Sequence, residues 1–266
     1  MKKVTVLVAT HKLAKIPQDN YYLPIHAGRI NAEYLGYKGD NTGDNISFKN
    51  PYYSELTVLY WAWKNLKSDY IGLVHYRRFF TKRSAISRIS KDKFQYVLKD
   101  KEIKNLIEDY DIILPKKRKY YIETLYSHYK HTMYIEPLDM SRDIIKEQNP
   151  NLLSTFDKVM NQSSGHMFNM FIMRQDLFDQ YCQWLFPILE ELEEKVDISQ
   201  YDSFHARFLG RISELLFNVW LDNQKENKTL KIAELPIVSD GKTNWPKKIG
   251  SFLGAKYGNK KYGKSF

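Results

Sequence analysis

The chain has 266 residues, 43% apolar and 15% aromatic, which is enough to bury a substantial core and excludes general disorder. A formal charge of +10 and a pI near 9.3 imply anionic company, whether nucleic acid, nucleotide or an acidic membrane face. The single cysteine, Cys182, lies in an apolar run, which excludes a disulfide framework or a cysteine metal site and fits a reducing compartment.

The amino terminus MKKVTVLVATHK has an apolar run only about a strand long and no small-residue cleavage site, so it reads as a first strand, Val4 to Ala9, ending in Thr10-His11-Lys12. From Pro17 to Asn50 the chain is polar and turn-rich, a loop long enough to be functional. Glu55 to Asn65 carries Leu56, Leu59, Tyr60 and Trp63 at the spacing of one buried helical face. The strand Tyr70 to Val74 follows and ends in His75-Tyr76-Arg77-Arg78. A helix ending at Lys104 to Glu108 and a strand Asp111 to Leu114, closed by Pro115 and the basic run Lys116 to Lys119, repeat that order, and helix-then-strand twice predicts a parallel sheet. Gly165 to Arg174 reads as a central apolar strand, Asp176 to Glu194 as a long helix kinked at Pro187, and Ser203 to Asp222 as another helix with Asp202 as its N-cap. No segment reaches the roughly 18 to 20 apolar residues that cross a bilayer.

Open α/β sheets bind ligands at the carboxyl ends of their strands, and guanidinium forks match phosphate oxygens, so Arg77 and Arg78 suggest a phosphorylated or diphosphate ligand. The competing reading is a surface strand end whose arginines pair with local acids. Asp40, Asp44 and Asn45, with Thr42 and Ser47, form a dense polar set in the preceding loop, a ligand-facing group or a solvated turn. Asp109-Tyr110-Asp111 precedes its apolar run and so sits at the wrong end of its strand for a metal-nucleotide site. His128 and His131, at i and i+3, have the spacing to bind metal or act as acid and base, but the tyrosines on every side favour a substrate-groove wall or plain surface, and the histidines form no zinc pattern. General-base candidates are Asp202, which equally suits capping, and Glu214, which is either half of a buried pair with Arg211 or a catalytic carboxylate.

After residue 240 the character changes. Lys242 to Phe266 holds seven lysines and no acid, with Trp245, Ile249, Phe252, Leu253 and Tyr257 on one helical stripe. Residues 1–240 therefore form the folded domain, and 241–266 form a basic tail that is either disordered or an interfacial helix on an anionic membrane.

DNTGDNISFKNPYYSELTVLYWAWKN followed by DYIGLVHYRRFF, with ATHK, DIILPKK and GHMFNMFIMR in order, resembles the bacterial capsular-polysaccharide and exopolysaccharide glycosyltransferase family long described as a domain of unknown function. The resemblance spans Val4 to Asp222. It implies a GT-A-like α/β fold, a mostly parallel sheet flanked by helices, that moves a hexose from a nucleotide diphosphate to a lipid-linked oligosaccharide. UDP-galactose, pyranose or furanose, is the donor it favours. By analogy Ala9, Thr10 and His11 border the nucleoside, Asp40, Asp44 and Asn45 lie on the donor side with His75, Tyr76, Arg77 and Arg78, and His128, His131, His166 and Asn169 fall to the acceptor. The HYRR segment stands where many GT-A enzymes hold their metal-binding Asp-x-Asp, which argues against a manganese or magnesium site, and no organic cofactor is expected. The expected setting is the cytoplasm, peripheral on the inner face of the plasma membrane, with no nucleic-acid partner. A non-catalytic nucleic-acid- or carbohydrate-binding α/β protein is the alternative.

Overall fold

The structure is a computed structural model that describes residues 2–83, 90 and 92–239. The basic tail therefore lies outside the described residues.

Strand β1 (Val4–Thr10) is flanked by parallel strands β2 (Tyr22–His26) and β4 (Tyr70–His75), and β3 (Lys38–Gly39) extends the sheet beyond β2. On the other side of β4 come β9 (Phe171–Arg174), β6 (Ile112–Pro115) and β10 (Ile232–Leu235), giving the order β10-β6-β9-β4-β1-β2-β3. β9 runs antiparallel to both its neighbours, so β4 and β6 point the same way without touching. The sheet is mostly parallel, as the repeated helix-then-strand order predicts, with β9 inserted antiparallel between β4 and β6. β5 (Arg78–Phe80) folds back on β4 and pairs with β11 (Ile237–Ser239), while β7 (Arg118–Lys119) and β8 (Ser164–Gly165) form a separate ribbon.

The central strands are apolar throughout because both faces are covered. In β1, Val4, Val6 and Val8 point into one core while Leu7 and Ala9 point into the other, the alternation that the pleat imposes. Helix α3 (Asp100–Asp109) covers the first face with Ile103, Leu106 and Ile107. The second face is packed by α2 (Leu56–Asn65), α5 (Glu136–Gln148), α6 (Leu153–Met160), α7 (Gln175–Lys195) and α8 (Phe208–Asn227), after the short helices α1 (Asn50–Tyr53) and α4 (Leu125–Thr132) in chain order. Gly72 in β4 is required by this packing, since a β-carbon there would lie 2.8 Å from Ile172 Cγ1.

Several elements differ from the sequence reading. The supposed loop from Pro17 to Asn50 contains β2 and β3. Pro24 sits in β2 without breaking the sheet because β3 pairs only with Ile25 and His26, so the missing N–H faces an open stretch. The expected strand from Gly165 to Arg174 is broken: Phe168 (φ 80°) and Asn169 (φ 48°) are left-handed, which no strand accommodates. The helix expected from Ser203 begins instead with a 3-10 turn, His205–Arg207, before α8. Pro187 lies inside α7, which continues as one helix. Among the described residues no helix is long and apolar enough to cross a membrane.

Candidate active site

The carboxyl ends of β1, β2, β4 and β6 lie at one end of the sheet, and here the charged groups collect. β4 does not simply stop at HYRR. Tyr76 and Arg77 make a tight turn and Arg78 opens β5 opposite His75. The two arginines therefore diverge rather than stand side by side at the strand end. Arg77 is exposed, its guanidinium 5.1 Å from the centre of the Tyr76 ring, which Lys12 Nζ approaches to 5.4 Å and the His11 ring meets nearly perpendicularly at 5.3 Å between centres. Arg78 is sunk over the Phe168 ring, 4.6 Å from its centre.

Beneath Arg78 the left-handed pair Phe168-Asn169 holds an acid cluster. The Phe168 carbonyl accepts from His75 Nε2 at 2.5 Å, which requires the proton on that nitrogen. The Phe168 backbone amide lies against Glu214, in the second turn of α8, and favours its ionised form. Asn169 Nδ2 donates to Glu55 Oε1 at 2.7 Å and to the Gly210 carbonyl at 2.9 Å, and its Oδ1 accepts from Ser213 Oγ at 3.1 Å. One strained dipeptide thus reaches both carboxylates, Glu55 at the entry to α2 and Glu214.

Burial and the neighbouring Glu55 charge push Glu214 up to about 7, against the pull of the Phe168 amide, Arg211 and Arg78. Burial and the adjacent arginines hold His75 below the usual imidazole range, against the pull of Glu55 and the Phe168 carbonyl. Arg78 and Arg211 are both lowered, chiefly by burial, with Glu214 opposing the shift in each. Yet His75, Arg78, Arg211, Glu55 and Glu214 all keep partial exposure. Groups surrounded by protein but still wetted form the floor of a basin, the setting in which a carboxylate can serve as acid or base near neutral pH. Arg211 completes this wall, with its guanidinium 3.9 Å from the Phe204 ring centre. Tyr129, whose hydroxyl is buried without a hydrogen-bond partner, lies close enough to Arg211 to sense its charge.

The other candidates from the sequence are placed as follows. Ala9 and Thr10 end β1 opposite His75 and His26, with His11 exposed just beyond, so this trio borders the basin. Asp40 is fully buried and saturated: it accepts from the amides of Gly28 at 2.8 Å and Arg29 at 3.0 Å, from Thr57 Oγ1 at 2.6 Å and from Ser47 Oγ. It ties the β2 end to α2 and has no oxygen left for a ligand. Asp44 and Asn45 are not brought to the basin. Asp44 binds Asn65 through its main chain, at the last turn of α2 beside the start of β4, and Asn45 closes its own turn onto Gly43 and Ser47. Asp44 is thus held at the end of α2 remote from Glu55, while Asn45 leads through Ser47 back to Asp40 at the end of β2.

Asp202 accepts from the Phe204 and His205 amides at 2.9 and 2.8 Å and from His205 Nδ1 at 2.8 Å. These bonds, the His205 amide foremost, hold its carboxyl below the usual range, so it is a cap and a weak base. His128 and His131 donate through Nδ1 to the buried Glu123 at 2.8 and 2.5 Å. Burial opposes ionisation of Glu123, but the two imidazole bonds outweigh it and its carboxyl lies below the usual range. His166 is buried, donating Nδ1–H to the Pro115 carbonyl at 2.7 Å. Of the acceptor-side residues, Asn169 alone joins the acid cluster directly. Glu55 and Phe168 escaped the sequence reading as site residues, and the one available signal for Glu55 was its place directly before an apolar helix; Arg211 entered it only as a possible partner of Glu214.

The residues at the HYRR hairpin do not suit a divalent cation, since they offer guanidiniums and an imidazole whose Nε2 is protonated. Asp111 lies at the opposite end of β6, bound to Arg174 at 2.7 Å and to the Lys231 amide at 2.9 Å. Among the described residues no group of three acidic, histidine or cysteine side chains gathers as a metal site.

Residues 5–226 match the family described as "Domain of unknown function (DUF4422)". The chain belongs to that family. A solved structure of WbbM, a bifunctional glycosyltransferase in its apo form, superposes with a TM-score of 0.83 at 32% identity over 90% of this chain. The DUF4422 chain spans 46% of that protein's length. No curated protein matches the sequence. The mostly parallel sheet with helices on both faces is a GT-A-like fold.

Proposed function

We propose that this DUF4422 protein is a glycosyltransferase that moves a hexose, galactose in pyranose or furanose form, from a UDP-sugar to a lipid-linked oligosaccharide in capsular or exopolysaccharide synthesis. The observation that carries this reading is the basin at the carboxyl ends of the strands, where the Arg78 guanidinium and the Glu214 carboxylate lie close enough to sense each other's charge. The likeness to WbbM supports the reaction class.

The acceptor hydroxyl attacks the anomeric carbon while the bond from that carbon to the diphosphate oxygen breaks. The bond's electron pair leaves with UDP, and the hydroxyl proton passes to Glu214. A carboxylate raised to about 7 is a stronger base than an ordinary glutamate and is still ionised in a large fraction of molecules at neutral pH. Arg78, with Arg77 and Lys12 at the rim, meets the charge that grows on the departing diphosphate, the task that a metal performs in other GT-A enzymes. Asn169 holds Glu55 in place, and Glu55 keeps the proton affinity of Glu214 high. Direct displacement inverts the anomeric configuration.

A screen of UDP-hexoses with cell-derived lipid-linked acceptor, read by UDP release, tests the proposal. Acceptor-dependent release with one donor is expected. Saturable UDP binding with no transfer to any acceptor would instead identify a carbohydrate-binding scaffold.

A further inference from the structure

Among the described residues, the large apolar side chains that face water gather at one end of the sheet. Leu13, Ile30, Tyr34, Phe48, Tyr121 and Ile122 are each more than half exposed, and no other large apolar side chain among the described residues is comparably exposed. Leu13 follows the end of β1, and Ile30 and Tyr34 follow the end of β2. Tyr121 and Ile122 follow β7, just past the end of β6, which points the same way as β4.

Phe48 belongs to this end too. Its neighbour Lys49 binds Glu193 at 2.6 Å, in the last turns of α7. That helix starts where Gln175 donates to the Asp69 carbonyl at the amino end of β4, and its length carries it back along the sheet. The opposite end of the sheet is polar: Arg174 joins Asp111 and Asp176 in a hollow also bordered by Lys2, Ser68 and Asp69.

The Tyr121–Ile122 tip is held outward by its backbone. Tyr120 N–H donates to the Ser163 carbonyl at 2.8 Å and Ile122 N–H to the Tyr120 carbonyl at 2.7 Å, which leaves Tyr121 left-handed at φ 58° and 83% exposed. Lys116 and Lys119 are exposed directly before it, and Lys12 and Arg77 are exposed at the basin rim. Apolar tips gathered at one end of the sheet with exposed lysines and arginines, and with Glu33 the exposed acid between Ile30 and Tyr34, suit an anionic lipid surface, where rings and aliphatic chains enter the headgroup layer and cations meet the phosphates.

We propose that this end of the sheet, led by the Tyr121–Ile122 tip and Phe48, is a docking face for an anionic bilayer. It is distinct from the basic tail and would set the basin against the membrane. That consequence rests on the glycosyl transfer proposed above, whereas the docking itself does not.

The test uses the full chain with its tail, co-sedimented with phosphatidylcholine vesicles with and without phosphatidylglycerol. Binding that requires the anionic lipid is expected, and Tyr121→Ser/Ile122→Ser should weaken it roughly tenfold, with Phe48→Ser adding to the loss. Unchanged circular dichroism and unchanged transfer to a water-soluble acceptor separate this result from misfolding and from failure of the proposed reaction. As a second readout, a polarity-sensitive fluorophore on Ile122→Cys should shift to the blue on anionic vesicles, while one on Asn105→Cys in α3 should not. The native Cys182 is buried, so labelling is selective. Vesicle binding unaffected by the tip variants, no spectral shift at position 122, tighter binding to single-stranded RNA than to vesicles, or a tip-dependent dimer in place of vesicle binding would each overturn the proposal.

Discussion

Asn169 donates its side-chain amide to Glu55 at 2.7 Å across 114 residues of sequence, from a backbone position that asparagine tolerates better than most residues. The bond joins the loop before β9 to the entry of α2, and Asn169 is tied through Gly210 and Ser213 to the first two turns of α8. Its removal leaves a carboxylate without its donor. Asn169→Ala should lower stability by about 2 kcal/mol, read from the urea midpoint. Asn169→Gly loses the same bonds but accepts φ 48° freely, so it should be the milder variant of the pair. An alanine variant as stable as wild type would show that the turn holds itself.

Glu214 ties pH to activity. As the base it must be ionised, so kcat/KM should climb with pH and level off above about 7. Glu55→Gln removes the neighbouring charge that helps to raise Glu214, so the acid limb should move to lower pH. A limb that stays in place would detach Glu55 from the titration.

The same group sets a trend in stability. Its folded-state value of about 7 lies above the ordinary 4.5, so between those pH values the folded protein keeps a proton that the unfolded chain releases. Stability from this group therefore falls as pH rises through that window. Glu214→Gln should flatten the fall, most visibly in thermal midpoints compared at pH 5 and about pH 8.

The arginines should differ in effect. Arg78 is sunk over Phe168 within the basin and Arg77 is exposed at its rim. Arg78→Ala should weaken UDP binding by about tenfold or more, with Arg78→Lys restoring only part of it because the fork is lost. Arg77→Ala should cost less than about threefold. Calorimetric titration with UDP distinguishes them, and equal losses would show that both guanidiniums grip the diphosphate.

Metal dependence follows from the same charges. With guanidiniums facing the diphosphate, turnover should persist in EDTA. Full loss restored by manganese would place an ion on carboxylates elsewhere.

The strands most legible in the sequence were those buried on both faces. Val4 to Ala9, Tyr70 to Val74 and Asp111 to Leu114 are continuous apolar runs, and each is a strand within a residue or two. β2 and β3 were hidden because Pro24 and the short pairing with Lys38–Gly39 carry no strand periodicity. The site was legible only in part. HYRR marked the carboxyl end of β4, where charged groups gather, but a tight turn separates its arginines, and side-chain spacing does not encode turns of that kind. Glu214 was visible through its apolar neighbours. Glu55 was not, because its partners Asn169 and Glu214 lie far along the chain. Asp40, Asp44 and Asn45 attracted notice as polar turn residues, and shaping the local chain is what they do.

The most direct test of the account is acceptor-dependent UDP release by Glu214→Gln, measured beside its affinity for UDP. The account predicts a kcat at least about a hundredfold below wild type with UDP binding retained, since the amide cannot take the hydroxyl proton. A kcat near wild type would contradict it and move the base elsewhere.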